Sequence, residues 1–217
     1  MSLEEESSTK ITIESFGSLD KGSLEQVLEE VVAVEKRAWP PELQASREKF
    51  EARIETFPQG FFAARVNGII KGVSTSQIIF YPSKPTTWDG LTDNGFIRGS
   101  HNAEGDTLYV VSLGVDPNVQ GMGLGGRLLE AQKNLARELG LNSLVLGARI
   151  PGYNQYCLDN GEITPQEYLG RRTDKNESID SEIRFYEKRG LRVKGIVAGF
   201  EQDPASRDYG VIMSWAA

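Results

Sequence analysis

Among 217 residues there is one cysteine and one histidine. Cys157 has no partner for an intrachain disulfide, which suits a reducing cytosol, so a cytoplasmic protein is expected. As a nucleophile it would need a base beside it. The lone histidine, His101, lies in a polar stretch, and Cys157 therefore reads as a bystander. No apolar run reaches the about 18 residues needed to span a membrane. Met1 to Thr9 is acidic and serine-rich and lacks the apolar segment of a signal peptide. A disordered tail over 1–9 and one domain over 10–217 are expected. Basic residues are also short: 24 Lys and Arg stand against 31 Asp and Glu, a net charge of -7. That excludes the basic footprint of a nucleic-acid binder and is compatible with a cationic small substrate. No membrane partner and no metal are expected.

What is present reads as alternating strands and helices. Lys10–Phe16 alternates as a strand. Ser23–Trp39 places Leu24, Val27, Leu28, Val31 and Val34 on one helical face, with Ser23 as cap and Pro40-Pro41 as stop. Ser46–Phe57 is a second helix. Phe61–Val66 and Ile69–Phe80 form a hairpin around Asn67-Gly68. The segment Tyr81–Asp106 is long and polar and is expected to act as a lid or binding loop. Thr107–Val115 is a buried strand, Gly121–Leu139 a helix stopped by Gly140, and Ser143–Ala148 a second buried strand, so the three make a parallel crossover. Arg149–Asn176 is irregular, with one short helix starting near Thr164-Pro165. Ile179–Lys188 is helical, and Val193–Phe200 with Tyr209–Trp215 closes an antiparallel pair. The sum is an α/β fold: one mixed sheet of about seven strands with helices on both faces.

Gln120-Gly121-Met122-Gly123-Leu124-Gly125-Gly126 joins the buried strand to the helix. Glycines there admit left-handed backbone and close approach. Successive N–H groups and a helix N-terminus suit a pyrophosphate, and Arg127 adds charge. Gly121, Gly123 and Gly126 also spell the dinucleotide fingerprint. That reading is weakened because Asp116–Gln120 intervenes after the strand. The next strand ends Gly147-Ala148-Arg149 without a ribose-binding carboxylate, although an arginine there could meet a 2′-phosphate.

Val115-Asp116-Pro117 followed by Gln120-Gly121-Met122-Gly123-Leu124-Gly125 resembles the GNAT superfamily of N-acyltransferases, whose signature is V-x-P, a short loop and Q/R-x-x-G-x-G/A opening a helix. Phe185-Tyr186-Glu187-Lys188-Arg189-Gly190-Leu191 is similar to the family's Y-x-K-x-G-F. The resemblance spans Lys10 to Trp215. It departs in the long Tyr81–Asp106 loop and the Ile150–Ser178 insertion, both expected as walls of the acceptor pocket. The asparagine that many relatives place after the second parallel strand has only Asn154 as a counterpart.

The resemblance implies acetyl-CoA as co-substrate, held by Leu113, Gly114, Val115 and Gln120–Gly126, and direct attack by a primary amine of a small molecule or peptide. It leaves room for a homodimer. A backbone N–H along Leu113-Gly114-Val115 would meet the oxyanion, and Gly114 would let the strand bulge to admit pantetheine. Tyr186 is the expected catalytic donor of a proton or hydrogen bond to the departing thiolate, since a phenol of pKa about 10 still holds its proton at the pH where a thiol of about 8.5 begins to ionise. No base is designated: Glu104 and Asp106 precede the strand, Tyr109 and Ser112 lie on it, and His101, Glu35 and Glu42 read as solvated. That gap supports an alternative, a non-catalytic acyl-CoA sensor on the same fold; a nucleotide-dependent oxidoreductase is a third.

Overall fold

A computed structural model describes residues 9–18, 24–84 and 86–217. The expected cap at Ser23 and the tail over 1–8 lie outside the described residues. Seven strands form one sheet in the order β1-β2-β3-β4-β5-β7-β6: β1 (Ile11–Ser15), β2 (Phe61–Val66), β3 (Ile69–Ile79), β4 (Thr107–Val115), β5 (Ser143–Ala148), β6 (Arg192–Val197) and β7 (Gly210–Ala216). Only β4 and β5 run parallel, joined by the crossover helix α4 (Leu124–Glu138). Asn67 and Gly68, both at positive φ, turn the β2–β3 hairpin, as the sequence predicts.

Alternation on β2 sorts the helices. Ala63 packs with Val27, Leu28, Val31 and Val34 of α1 (Leu24–Ala38) and Phe50 of α2 (Arg47–Thr56). Its neighbour Ala64 packs with Leu124 and Leu128 of α4. Successive strand residues face opposite sides, so α1 and α2 cover one face and α4 the other. Leu139 is the exception to the expected α4 stripe, 45% exposed at the helix end.

Two irregularities open the sheet. β4 pairs with β5 only from Thr107–Ser143 to Val110–Leu146, and the strands part beyond. On the other edge of β4, Thr75 pairs with Ser112 and Ser76 with Val110, which leaves Val111 as an extra, bulged residue. The bulge expected at Gly114 is therefore at Val111; Gly114 pairs in register with Val73. Gly114 instead admits α1, because a Cβ there would stand 2.8 Å from Trp39 Nε1 and 3.1 Å from Ala38 Cβ.

The long loops are packed structure. Tyr81–Asp106 contains α3 (Trp88–Thr92), capped by Thr87, and buries Leu91 and Ile97. Trp88 Nε1 donates to the carbonyl of the bulged Val111 at 3.1 Å, which satisfies a polar group that the bulge frees. The insertion contains α5 (Tyr153–Asn160), unforeseen in the sequence, and α6 (Pro165–Gly170), started by a Thr164–Glu167 capping box. It leads to α7 (Ser181–Glu187).

Candidate active site

Two adjoining spaces lie where β4 parts from β5. The outer one is a groove of about 500 Å³ lined by Leu113 and Val115, then Gln120, Gly121 and Gly123–Gly126, with Phe185 of α7 and, just past that helix, Arg189. Gly121 (φ +89°) and Gly123 (φ +78°) carry the left-handed backbone that turns the chain into α4, a conformation costly for any residue with a Cβ. The next two glycines act differently. A Cβ on Gly125 would lie 3.2 Å from Phe185, and one on Gly126 would lie 2.8 Å from Arg189 Nε; their bareness lets α7 close on α4. Of the ten expected cofactor residues, Gly114 and Met122 do not line the groove. Met122 packs beside Leu124 and Leu128 instead. Two basic groups line the groove, Arg149 and Arg189; Arg189 is stacked 3.8 Å over Phe185, whereas Arg127 is exposed on α4.

Asp116, the variable position of V-x-P, anchors the loop before the glycines. It is 1% exposed and accepts from Asn118 N at 3.0 Å, Arg37 Nε at 2.8 Å and Lys71 Nζ at 3.2 Å. Burial pushes its carboxyl up, but these donors and charges outweigh that and hold it down at about 2.

The inner space is a pocket of about 50 Å³, room for a few water-sized groups. Trp39, Leu113, Arg149, Glu182 and Tyr186 line both spaces and so form the junction. Glu182 and Tyr186 are four apart on α7 and share a helix face. Glu182 Oε1 accepts from Arg149 N at 3.0 Å. Burial pushes its carboxyl up to about 7, against the hydrogen bond and charge of Arg149. Tyr186 is 7% exposed. Burial first, then the charge of Glu182, pushes its phenol above the usual tyrosine range, and its proton is firmly held. Trp39 Nε1 is buried without a partner among the described residues and lies over Gly114.

Glu201 supplies another inner wall, its carboxyl pushed up to about 7 by burial and then by the charge of Asp203. Its place is set by Phe200, wedged where a Cβ on Gly147 or Gly210 would stand, 2.3 Å and 2.2 Å away. Glu35, weighed in the sequence as a solvated group, is buried and accepts from Ala45 N at 2.8 Å; burial raises its pKa. The other candidates fall elsewhere. Glu42, Glu104 and Asp106 are exposed. His101 Nδ1 accepts from Ile78 N at 3.2 Å, and its ring stacks on Phe57. Asn154 holds Arg207 at 2.9 Å, and Cys157 is buried in the apolar core.

The two insertions divide their roles. The first supplies Trp88 to the inner pocket, but no residue of Ile150–Ser178 lines it. The second instead buttresses α7: Tyr168 Oη donates to Asp180 Oδ2 at 3.1 Å, while Asp180 Oδ1 accepts from Glu182 N and Ile183 N at 3.0 and 3.2 Å. Arg149, the residue that could have met a 2′-phosphate, is engaged through two bonds of 2.8 and 2.9 Å to Asp203.

The model of the acetyltransferase (GNAT) family matches residues 24–155. An uncharacterized N-acetyltransferase of Bacillus subtilis, YkwB, is 32% identical over 194 residues, covering 87% of this chain and 84% of YkwB. A probable hydrolase of the same organism, YhcX, is 32% identical over 88% of this chain, which spans only 37% of YhcX. Among solved structures, the GNAT-like decarboxylase GphF in complex with isobutyryl-CoA is 26% identical, with a TM-score of 0.74 over 95% of this chain and 98% of that one.

Proposed function

Because this chain belongs to the acetyltransferase (GNAT) family, we propose that it transfers an acetyl group from acetyl-CoA to a primary amine of a small molecule or peptide, by direct attack in a ternary complex. The observation that carries this reading is the junction, where Glu182 and Tyr186 stand side by side between a glycine-lined groove and a small polar pocket. The pyrophosphate would lie on the N–H groups at Gly121–Gly126 and the start of α4, with pantetheine between the parted strands. The amine nitrogen bonds to the thioester carbon, and its proton passes to Glu182, a base matched to neutral pH. The oxyanion meets the freed edge of β4 and Trp39 Nε1. The carbon–sulfur bond breaks, the thiolate takes a proton from Tyr186, and Glu182 passes the proton it took from the amine to the Tyr186 oxygen, so that the net transfer runs from Glu182 to the sulfur. Binding of acetyl-CoA by calorimetry, with thiol release across an amine panel, tests the reading; a calorimetric trace without heat would end it.

The sensor alternative rests on the lack of a base legible in the sequence; the carboxyls of Glu182 and Glu201, both pushed up to about 7 by burial, support the catalytic reading over it. One observation favours a second reading, loss of a carboxyl group from an acyl-CoA: the likeness to the GphF decarboxylase. There the carbon–carbon bond to the carboxylate would break, carbon dioxide would leave, and the α-carbon would take a proton. Carbon dioxide release without free thiol would support that chemistry.

A further inference from the structure

Arg53 is the largest fully buried side chain among the described residues, at 1% exposure. It reaches from α2 to the wall of the inner pocket. Its Nε donates to Gly95 O at 2.8 Å, and its Nη1 to Thr75 Oγ1 and Ser112 Oγ at 3.3 and 3.2 Å. All three acceptors are neutral. Nη2 is buried with no partner, and no carboxylate forms an ion pair with this guanidinium among the described residues, although Glu35 and Glu201 line the same pocket.

Glu35 and Glu201 lie near enough for their charge to act on Arg53, but a buried cation with no directly bonded counter-ion is expensive, and an orphaned donor adds to the cost. Ordinary folding would place a carboxylate there or do without the arginine. The group that completes Arg53 has to be an anion, small enough for the pocket, and delivered from the junction. A carboxylate meets each demand and is the planar partner that a guanidinium fork accepts best. Glu35 and Glu201 on the same wall make no hydrogen bond to Arg53 among the described residues, and burial raises the pKa of both, so they leave room for one more.

We infer that the inner pocket is a carboxylate subsite: Arg53 binds a carboxylate of the substrate, carried either by the acceptor, as in an amino acid, or by the acyl group, as in a carboxyacyl-CoA. This rests on the reading of the groove as an acyl-CoA site. Two arms separate the sources. In one, calorimetry compares malonyl-CoA with acetyl-CoA. In the other, with CoA bound, it compares amino acids with the matching amines that lack the carboxylate. One arm should show about tenfold or tighter binding of the carboxylate-bearing member. Arg53→Met should reduce that member to the level of its neutral counterpart with CoA affinity unchanged, and Arg53→Lys should restore part of the difference. The inference is overturned if neither arm shows a preference in the wild-type protein, a comparison that does not depend on any variant folding. It is overturned equally if the preference survives Arg53→Met. Failure to bind CoA at all would sink the functional reading instead.

Discussion

The outer groove and the inner pocket meet at the same five residues yet are built in different ways. Much of the groove is made by near-consecutive residues of one loop and the start of one helix, Val119–Gly126 without Met122, and the essential property of that run is its four glycines. The pocket is made by residues far apart in sequence, from α1, α2, α3, β4, β5, α7 and the β6–β7 connection, and its essential property is buried charge. The difference teaches which part of a site a linear sequence exposes. Gly121 and Gly123 are needed by local backbone geometry, so the spacing alone announces them. Glu182 acquires its character only when α7 docks through Gly125 and Gly126 and burial raises its carboxyl, so nothing near it in sequence announces a base.

If the two regions divide binding from chemistry, substitutions should separate the two. Glu182→Gln should lower the rate of transfer by about 10²–10⁴-fold with acetyl-CoA affinity unchanged. Tyr186→Phe should cost less, about 10²-fold, and should fall on kcat rather than on acetyl-CoA binding, because the hydroxyl is called upon only as the thiolate departs. Gly123→Val should show the opposite pattern: weaker acetyl-CoA binding, and a loss of about 1–2 kcal/mol in stability from forcing a β-branched residue into φ +78°.

Two smaller effects sharpen the comparison. Asp180→Ala removes the cap of α7 and should cost about 1 kcal/mol of stability, together with part of the rate, since the helix that carries Glu182 and Tyr186 is then held less firmly. The pH dependence has a definite sign. Glu182 titrates at about 7 in the folded chain against 4.5 for an ordinary glutamate. Between those values the folded form keeps a proton that the unfolded form has lost, so this group's contribution to stability is complete below 4.5 and is lost as pH rises through 7. Glu182→Gln should therefore melt above the wild type at about pH 8 and converge with it at about pH 4. Transfer should run the other way, rising through about 7 as the base ionises, when measured with an acceptor amine whose own pKa lies well away.

Most of the fold was legible because its signals are local. The Asn67-Gly68 turn, the α1 stripe and the strand–glycine–helix unit each need only neighbours in sequence. Tyr186 was reached through a motif. Trp39, Arg53, Arg149, Glu182 and Glu201 were not designated, because each depends on contacts made across the sheet. Gly114 was read as a bulge residue from its lack of a side chain, yet the register places the bulge at Val111 and gives Gly114 to Trp39. The α5 helix was hidden for a further reason: Tyr153–Asn160 follows no clean apolar stripe and buries only Tyr153 and Cys157.

In the proposed reaction the acyl carbon sits at the junction of groove and pocket. A crystal structure of the chain with bound acetyl-CoA tests it most directly. Pyrophosphate density is expected against Gly121–Gly126 and the thioester beside Tyr186 and Glu182, with the acetyl group facing the inner pocket. Coenzyme A bound with its sulfur directed away from Tyr186, or bound elsewhere on the sheet, would contradict it.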